Sequence, residues 1–164
     1  MRTEALTDRL MKVTHTPLFS VGFVALRLTI GLEFFWAGVT KFGGWSAAGY
    51  LQSADGPLAG WFHALAGSGV IDALNMWGLT LIGLALILGL LVRPASMFGI
   101  LLMVLYYLAH FVGNTANGYI DTHIIQIAAL LMFSAGGAGH VFGLNGLVAN
   151  MMRKPNVVMK FLLG

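Results

Sequence analysis

Apolar residues dominate four stretches of the chain, at about residues 18–42, 74–92, 95–113 and 121–142. Each approaches the roughly 20 residues needed to cross a hydrocarbon core of about 30 Å, so the pattern predicts four transmembrane helices. Arg27 and Glu33 interrupt the first stretch. That stretch is also too long for the uncharged centre of a cleaved signal peptide, so it is expected to stay as a helix. Arg93-Pro94 predicts a tight break between the second and third spans, because proline lacks a donor and pushes its predecessor out of the α region. The segment "WSAAGYLQSADGPLAGWFHALAGSGVIDAL" is too long for a simple turn. Its Trp45, Tyr50, Trp61 and Phe62 suit the headgroup level. Two short interfacial helices are expected there, at about 46–53 and 57–66, broken at Asp55-Gly56-Pro57. They would form a lid over the bundle, with substrate gating as the alternative role.

Helical spacing sorts the polar residues into faces. On the fourth span His123, Gln126, Leu130, Ser134 and Gly137 share a stripe. Gly99, Met103, Tyr106 and His110 share one on the third, with Tyr107 and Asn114 on its flank. Antiparallel packing of these spans would bring His110 and His123 to one depth. The first span carries Glu33 on a face with Gly22, Leu26, Thr29, Trp36 and Thr40, whereas Arg27, Gly31, Phe34, Gly38 and Lys41 lie on another, offset by roughly 140° at 100° per residue. Lys41 is expected to snorkel to the interface. Glu33 is too short to do so and is expected to be protonated or to face protein, since a charge at a helix centre costs about 2.5 to 3.5 kcal/mol on insertion scales.

Composition agrees with membrane insertion. Hydrophobic residues make up 58% of the 164 and charged residues 9%, against about 25% charged in soluble domains, and the mean hydropathy is +0.84. The absence of cysteine excludes disulfides, thiolate zinc sites and iron–sulfur clusters, and no metal-ligand motif is present. Arg2, Arg9, Lys12, Arg93, Arg153, Lys154 and Lys160 flank the spans on one predicted side, while residues 43–71 and 113–120 contain neither Lys nor Arg. Positive charge is retained in the cytoplasm, so the expectation is a multi-pass protein of the cell membrane with both termini cytoplasmic. The net charge of +3 is a topology signal that also suits anionic lipid heads; it argues for no nucleic acid. The predicted organisation is a cytoplasmic segment at 1–17, a four-helix membrane domain at 18–145 and a basic cytoplasmic segment at 146–164.

Several polar residues have plain structural readings. Arg93 is expected to be a topology anchor, His140 a solvated or capping residue, and the small residues of the spans close-packing surfaces. Asp121 is expected either to cap its helix, favoured there by the macrodipole, or to orient an imidazole at the mouth of a site.

The stretches "RLTIGLEFFWAGVTKF", "GPLAGWFHAL", "GLALILGLLVRPASMFGILLMVLYYLAHF" and "IDTHIIQIAALLMFSAGGAGHVFGLN" resemble the DoxX/DoxD-like family over about residues 18–145. The resemblance implies an all-α integral membrane protein, a four-transmembrane-helix bundle with short interfacial helices in the first outer loop. Some members of that family are membrane subunits of thiosulfate:quinone oxidoreductase or associate with terminal quinol oxidases. Members commonly end the last helix with Leu-Asp, whereas here Leu144 precedes Asn145. A quinone as cofactor needs hydrogen-bond partners for two carbonyl oxygens and a route for protons. Glu33, His110, Asp121 and His123 are the expected catalytic groups, with Trp36, Tyr106, Tyr107 and Gln126 binding the ring. The implied function is a quinone-linked oxidoreductase subunit, oxidising an inorganic sulfur compound with a partner subunit. The alternative is a non-catalytic accessory subunit packed against a larger electron-transfer complex or a second copy. Haem b between His110 and His123 is a third possibility, since paired histidines on facing helices serve as axial ligands.

Overall fold

The computed structural model describes residues 16–112, 118–151 and 157–163. Arg2, Arg9, Lys12, Asn114, Arg153 and Lys154 lie outside the described residues. Among those described there are eight helices and no strand. They are α1 (Pro17–Val39), α2 (Ala48–Gln52), α3 (Ala59–Leu65), α4 (Gly69–Leu88), α5 (Val92–Ala109), α6 (Thr122–Ala135), α7 (Leu144–Met151) and α8 (Val157–Leu163). Three of them, α1, α4 and α5, are long and apolar enough to cross a membrane.

Local chemistry explains the helix ends. Thr16 caps α1 by accepting from Phe19 N, and Pro17 occupies the first turn, where a missing N–H costs nothing. The break between α4 and α5 lies earlier than Arg93-Pro94. Gly89 takes the left-handed conformation at φ 63° and ends α4. Leu91 then starts α5, so that Pro94 falls in its first turn.

The fourth apolar stretch departs from the expected span at 121–142. Its helix stops at Ala135 after 14 residues, about 21 Å, and the chain continues irregularly through Gly136, Gly137, Gly139 and Gly143. Backbone carbonyls released from a helix need other hydrogen-bond partners. Arg27 provides them. Its side chain is 1% exposed, and its guanidinium donates to the carbonyls of Ala138, Val141 and Phe142.

Glycines bring α1 and α4 together. A methyl on Gly83 would lie 2.2 Å from Phe35 N, and one on Gly38 would lie 2.3 Å from Thr80 Oγ1. Close backbone approach through small residues is the usual basis of helix association in lipid. The main core runs through Phe23, Phe34, Ile82, Leu86, Leu130 and Phe133. A separate cluster of Ala47, Leu51, Ala54, Phe62 and Ala109 seats α2 and α3 across the ends of α4 and α5. These two helices are the lid, and the opposite end of the bundle carries α7 and α8.

At that opposite end Asn145 is 1% exposed. Its backbone N–H donates to Gly89 O, its Oδ1 accepts from Leu91 N, and its Nδ2 donates to Leu163 O at 2.6 Å. A carboxylate has no donor for that last bond, which gives the Leu-Asn ending a structural reason.

Candidate functional site

α1, α4, α5 and α6 surround two adjoining spaces near the lid. A cavity of about 580 Å³ lies beneath the lid. Trp45 and Tyr50 come from the lid side, Asn75 from the first turns of α4, Tyr106 from α5 and His123 from α6. Beside it a groove of about 310 Å³ runs between α1 and α6, lined by Glu33, Thr122 and Gln126 among others. Lys41, Tyr106 and His123 line both spaces. α1 packs broadly on α4 and α5 on α6, while α1 and α6 meet only briefly, and the groove follows that open seam.

His123 and Asp121 form the most sharply defined couple. Asp121 is the N-cap of α6, with Oδ1 accepting from Ile124 N at 3.2 Å. Its Oδ2 lies 2.5 Å from His123 Nδ1. Both expected roles of Asp121, cap and orienter, are thus present in one carboxylate. Burial pushes this carboxyl up, but the hydrogen bonds from His123 and from the Ile124 N–H outweigh it and hold Asp121 below its ordinary range. An ionised carboxylate only accepts. Nδ1 therefore carries the hydrogen, and Nε2 is the ring nitrogen available to a ligand.

This coupling has a pH signature. A depressed carboxyl stabilises the fold fully above its unfolded value, and that contribution is lost as pH falls through the lower folded value. The midpoint lies below the ordinary 3.8. Wild type is expected to lose its stability margin over Asp121→Asn only below about pH 4. Thermal melts of both proteins across pH 3 to 7 check it, and a margin independent of pH contradicts it.

Tyrosines continue the site. The Tyr106 hydroxyl donates to Asn75 Oδ1 at 2.7 Å, and its ring sits 5.8 Å from that of His123. Tyr50 packs on both Tyr106, at 5.6 Å, and His110, at 4.4 Å. Burial, with Tyr106 and the acids Asp121 and Asp55 adding to it, pushes the Tyr50 hydroxyl up to about 12. It stays a donor at physiological pH.

Not every expected site residue falls here. Glu33, Tyr106, His123 and Gln126 line the groove, and Asp121 holds His123. His110 lines neither space; it rests on Tyr50, so two tyrosine rings stand between the two imidazoles. Tyr107 turns away and donates to Tyr119 O. Trp36 is 70% exposed on the outside of α1. The α1 faces separate as the spacing requires, but it is the Arg27, Gly31, Phe34 and Gly38 face that is buried, and Gly22, Leu26, Thr29, Glu33 and Trp36 are exposed. Glu33 reaches protein only along the groove. Lys41, Tyr50 and Asn75 are among the cavity residues that sequence reasoning did not assign to the site. Lys41 carried a signal as an isolated cation at the lid end, whereas Tyr50 and Asn75 are placed by tertiary packing alone.

A family model described as DoxX matches residues 22–111, more than half of the chain. The match runs from α1 past the end of α5 and includes Glu33, Lys41, Tyr106 and His110; α6 lies beyond it. No curated protein and no solved structure matches.

Proposed function

The chain belongs to the DoxX family of membrane proteins, and we propose on that premise that it is the membrane subunit of a quinone-linked oxidoreductase whose quinone ring sits in the lid cavity. The cavity is the observation that carries this reading. Its volume of about 580 Å³ falls within the 300 to 1,000 Å³ of small-molecule sites, and apolar walls with a few convergent polar groups are their usual character. His123 Nε2, oriented from behind by Asp121, is suited to exchange a proton with a ring oxygen. Glu33 and Gln126 extend polar groups along the groove towards the bilayer. A chain without cysteine borrows its electron carrier, so the electron donor, of the inorganic sulfur class, would be oxidised with a partner subunit at the lid face. The Lys and Arg distribution supports that face as the outer one.

A second reading, an accessory subunit without catalysis, is favoured by the outward face of α1. There Glu33 and Trp36 are exposed and would suit a neighbouring subunit or a second copy.

Purification in mild detergent followed by solvent extraction and absorption spectroscopy separates the readings. A co-purifying quinone is the expected result. A Soret band would point to haem, and neither chromophore to the accessory role. Glu33→Leu is expected to reduce quinone-linked turnover at least 100-fold, the lower range for a proton-transfer group. The amount of protein in the membrane should stay near normal, because Glu33 makes no hydrogen bond or ion pair with the described residues. Disappearance of the variant from the membrane would make Glu33 structural.

A further inference from the structure

Lys41 is the only Lys or Arg between Arg27 and Arg93, and no other follows until Arg153. Among the described residues the lid end of the bundle therefore holds one such cation, against the tendency of Lys and Arg to gather at the cytoplasmic side. A snorkelling lysine would reach for the headgroups. This one folds back. Its Nζ donates to Ala37 O at 2.7 Å, lies 4.7 Å from the Trp45 ring centre, and lines both the cavity and the groove.

No carboxylate among the described residues neutralises it. Asp121 is engaged by His123 and the Ile124 N–H. Asp55 accepts from Val112 N and Asp72 from Ala47 N. Glu33 lines the same groove but makes no ion pair with Lys41. An ammonium has three donors, and the single bond to Ala37 leaves two for a ligand. Apolar walls lower the local screening, so an uncompensated cation there favours an anion strongly.

We propose that Lys41 makes the lid cavity selective for its ring ligand in an anionic form, a quinone or quinol bearing an ionised ring hydroxyl. This rests on the quinone reading and deepens it by assigning the charge state that is bound. Lys41 supplies the counter-charge, and His123, its Nδ1–H held by Asp121, accepts at Nε2 from a ring hydroxyl that keeps its proton.

Two nearly isosteric probes separate charge from shape: 2-hydroxy-1,4-naphthoquinone, ionised at neutral pH, and its neutral methyl ether. Each is titrated into the purified protein while quenching of tryptophan fluorescence is followed, Trp45 and Trp61 being in the cavity wall. Wild type is expected to bind the hydroxy compound about 10- to 100-fold more tightly, the range for hydrogen bonds to charged groups. Lys41→Met should remove that preference while still binding the ether, which also shows that the variant is folded, and Lys41→Arg should keep it. Equal affinity in wild type, or a preference that survives Lys41→Met, overturns the role of Lys41 and leaves the quinone reading standing. Failure of wild type to bind either probe saturably overturns both.

Discussion

Replacing Arg27 by leucine is expected to remove most of the folded protein from the membrane. The guanidinium serves three carbonyls, those of Ala138, Val141 and Phe142, in a stretch that has lost its helical hydrogen bonds. A buried acceptor left without a partner costs about 1 to 3 kcal/mol, and of the three bonds the one to Ala138 is buried and the other two are part-buried. The loss is on the order of 3 to 5 kcal/mol, a large share of the 5 to 15 kcal/mol by which proteins are stable. Lysine should restore only part of it, because a single ammonium cannot reproduce a planar fork that bonds several carbonyls. Thermal stability in detergent, read for Arg27→Leu and Arg27→Lys beside wild type, checks the order. Stability of Arg27→Leu equal to wild type would remove the guanidinium from its structural role.

Adding one methyl group at Gly56 should lift the lid. Gly56 lies at the break between α2 and α3, where Asp55 N and Gly56 N both donate to Ala109 O. Asp55 Oδ1 accepts from Val112 N. The lid is thus pinned to the end of α5. A Cβ at Gly56 would stand 1.9 Å from Leu108 O, an overlap with backbone that no rotamer relieves. Overpacking of this kind costs about 1 to 3 kcal/mol. Gly56→Ala is therefore expected to weaken ring-ligand binding about tenfold or more, at 1.4 kcal/mol per factor of ten, and to speed hydrogen exchange in residues 46–66. The helical content of α1, α4 and α5 should not change, since their core is a separate cluster. Unaltered binding with the lid displaced would show that the cavity is not where the ligand sits.

The legible and illegible parts of this molecule divide along physical lines. Periodicity found the inward stripes of α5 and α6, and the turn residues Asp55-Gly56-Pro57 found the break in the lid. Which face of α1 is buried was not legible. In lipid an apolar residue gains little by facing protein, so hydrophobicity no longer marks the core and packing of small residues decides it. Gly31, Gly38 and Gly83 carried that information, and they turn Glu33 outward. The early end of α6 had a signal in Gly136, Gly137 and Gly139, and Arg27 is its complement, a donor-rich side chain deep in another helix. Joining the two requires knowing that α1 passes the end of α6, which spacing along one helix does not contain. His110 shows the same limit. Its depth follows from its position in α5, but its partner Tyr50 comes from a lid whose placement is tertiary. The dyad of Asp121 and His123 was the most readable part of the site because it is local, two residues apart at a helix start.

Photolabelling tests the central claim most directly. A prenylated azidoquinone is irradiated in intact membranes, and the labelled peptides are identified with and without excess unlabelled quinone. Quinone binding in the lid cavity predicts saturable label on segments carrying Tyr50, Tyr106 or His123, abolished by competitor and reduced by Gly56→Ala. Label confined to outward positions such as Leu81, Leu101 and Leu131, all exposed, and insensitive to competitor would contradict it.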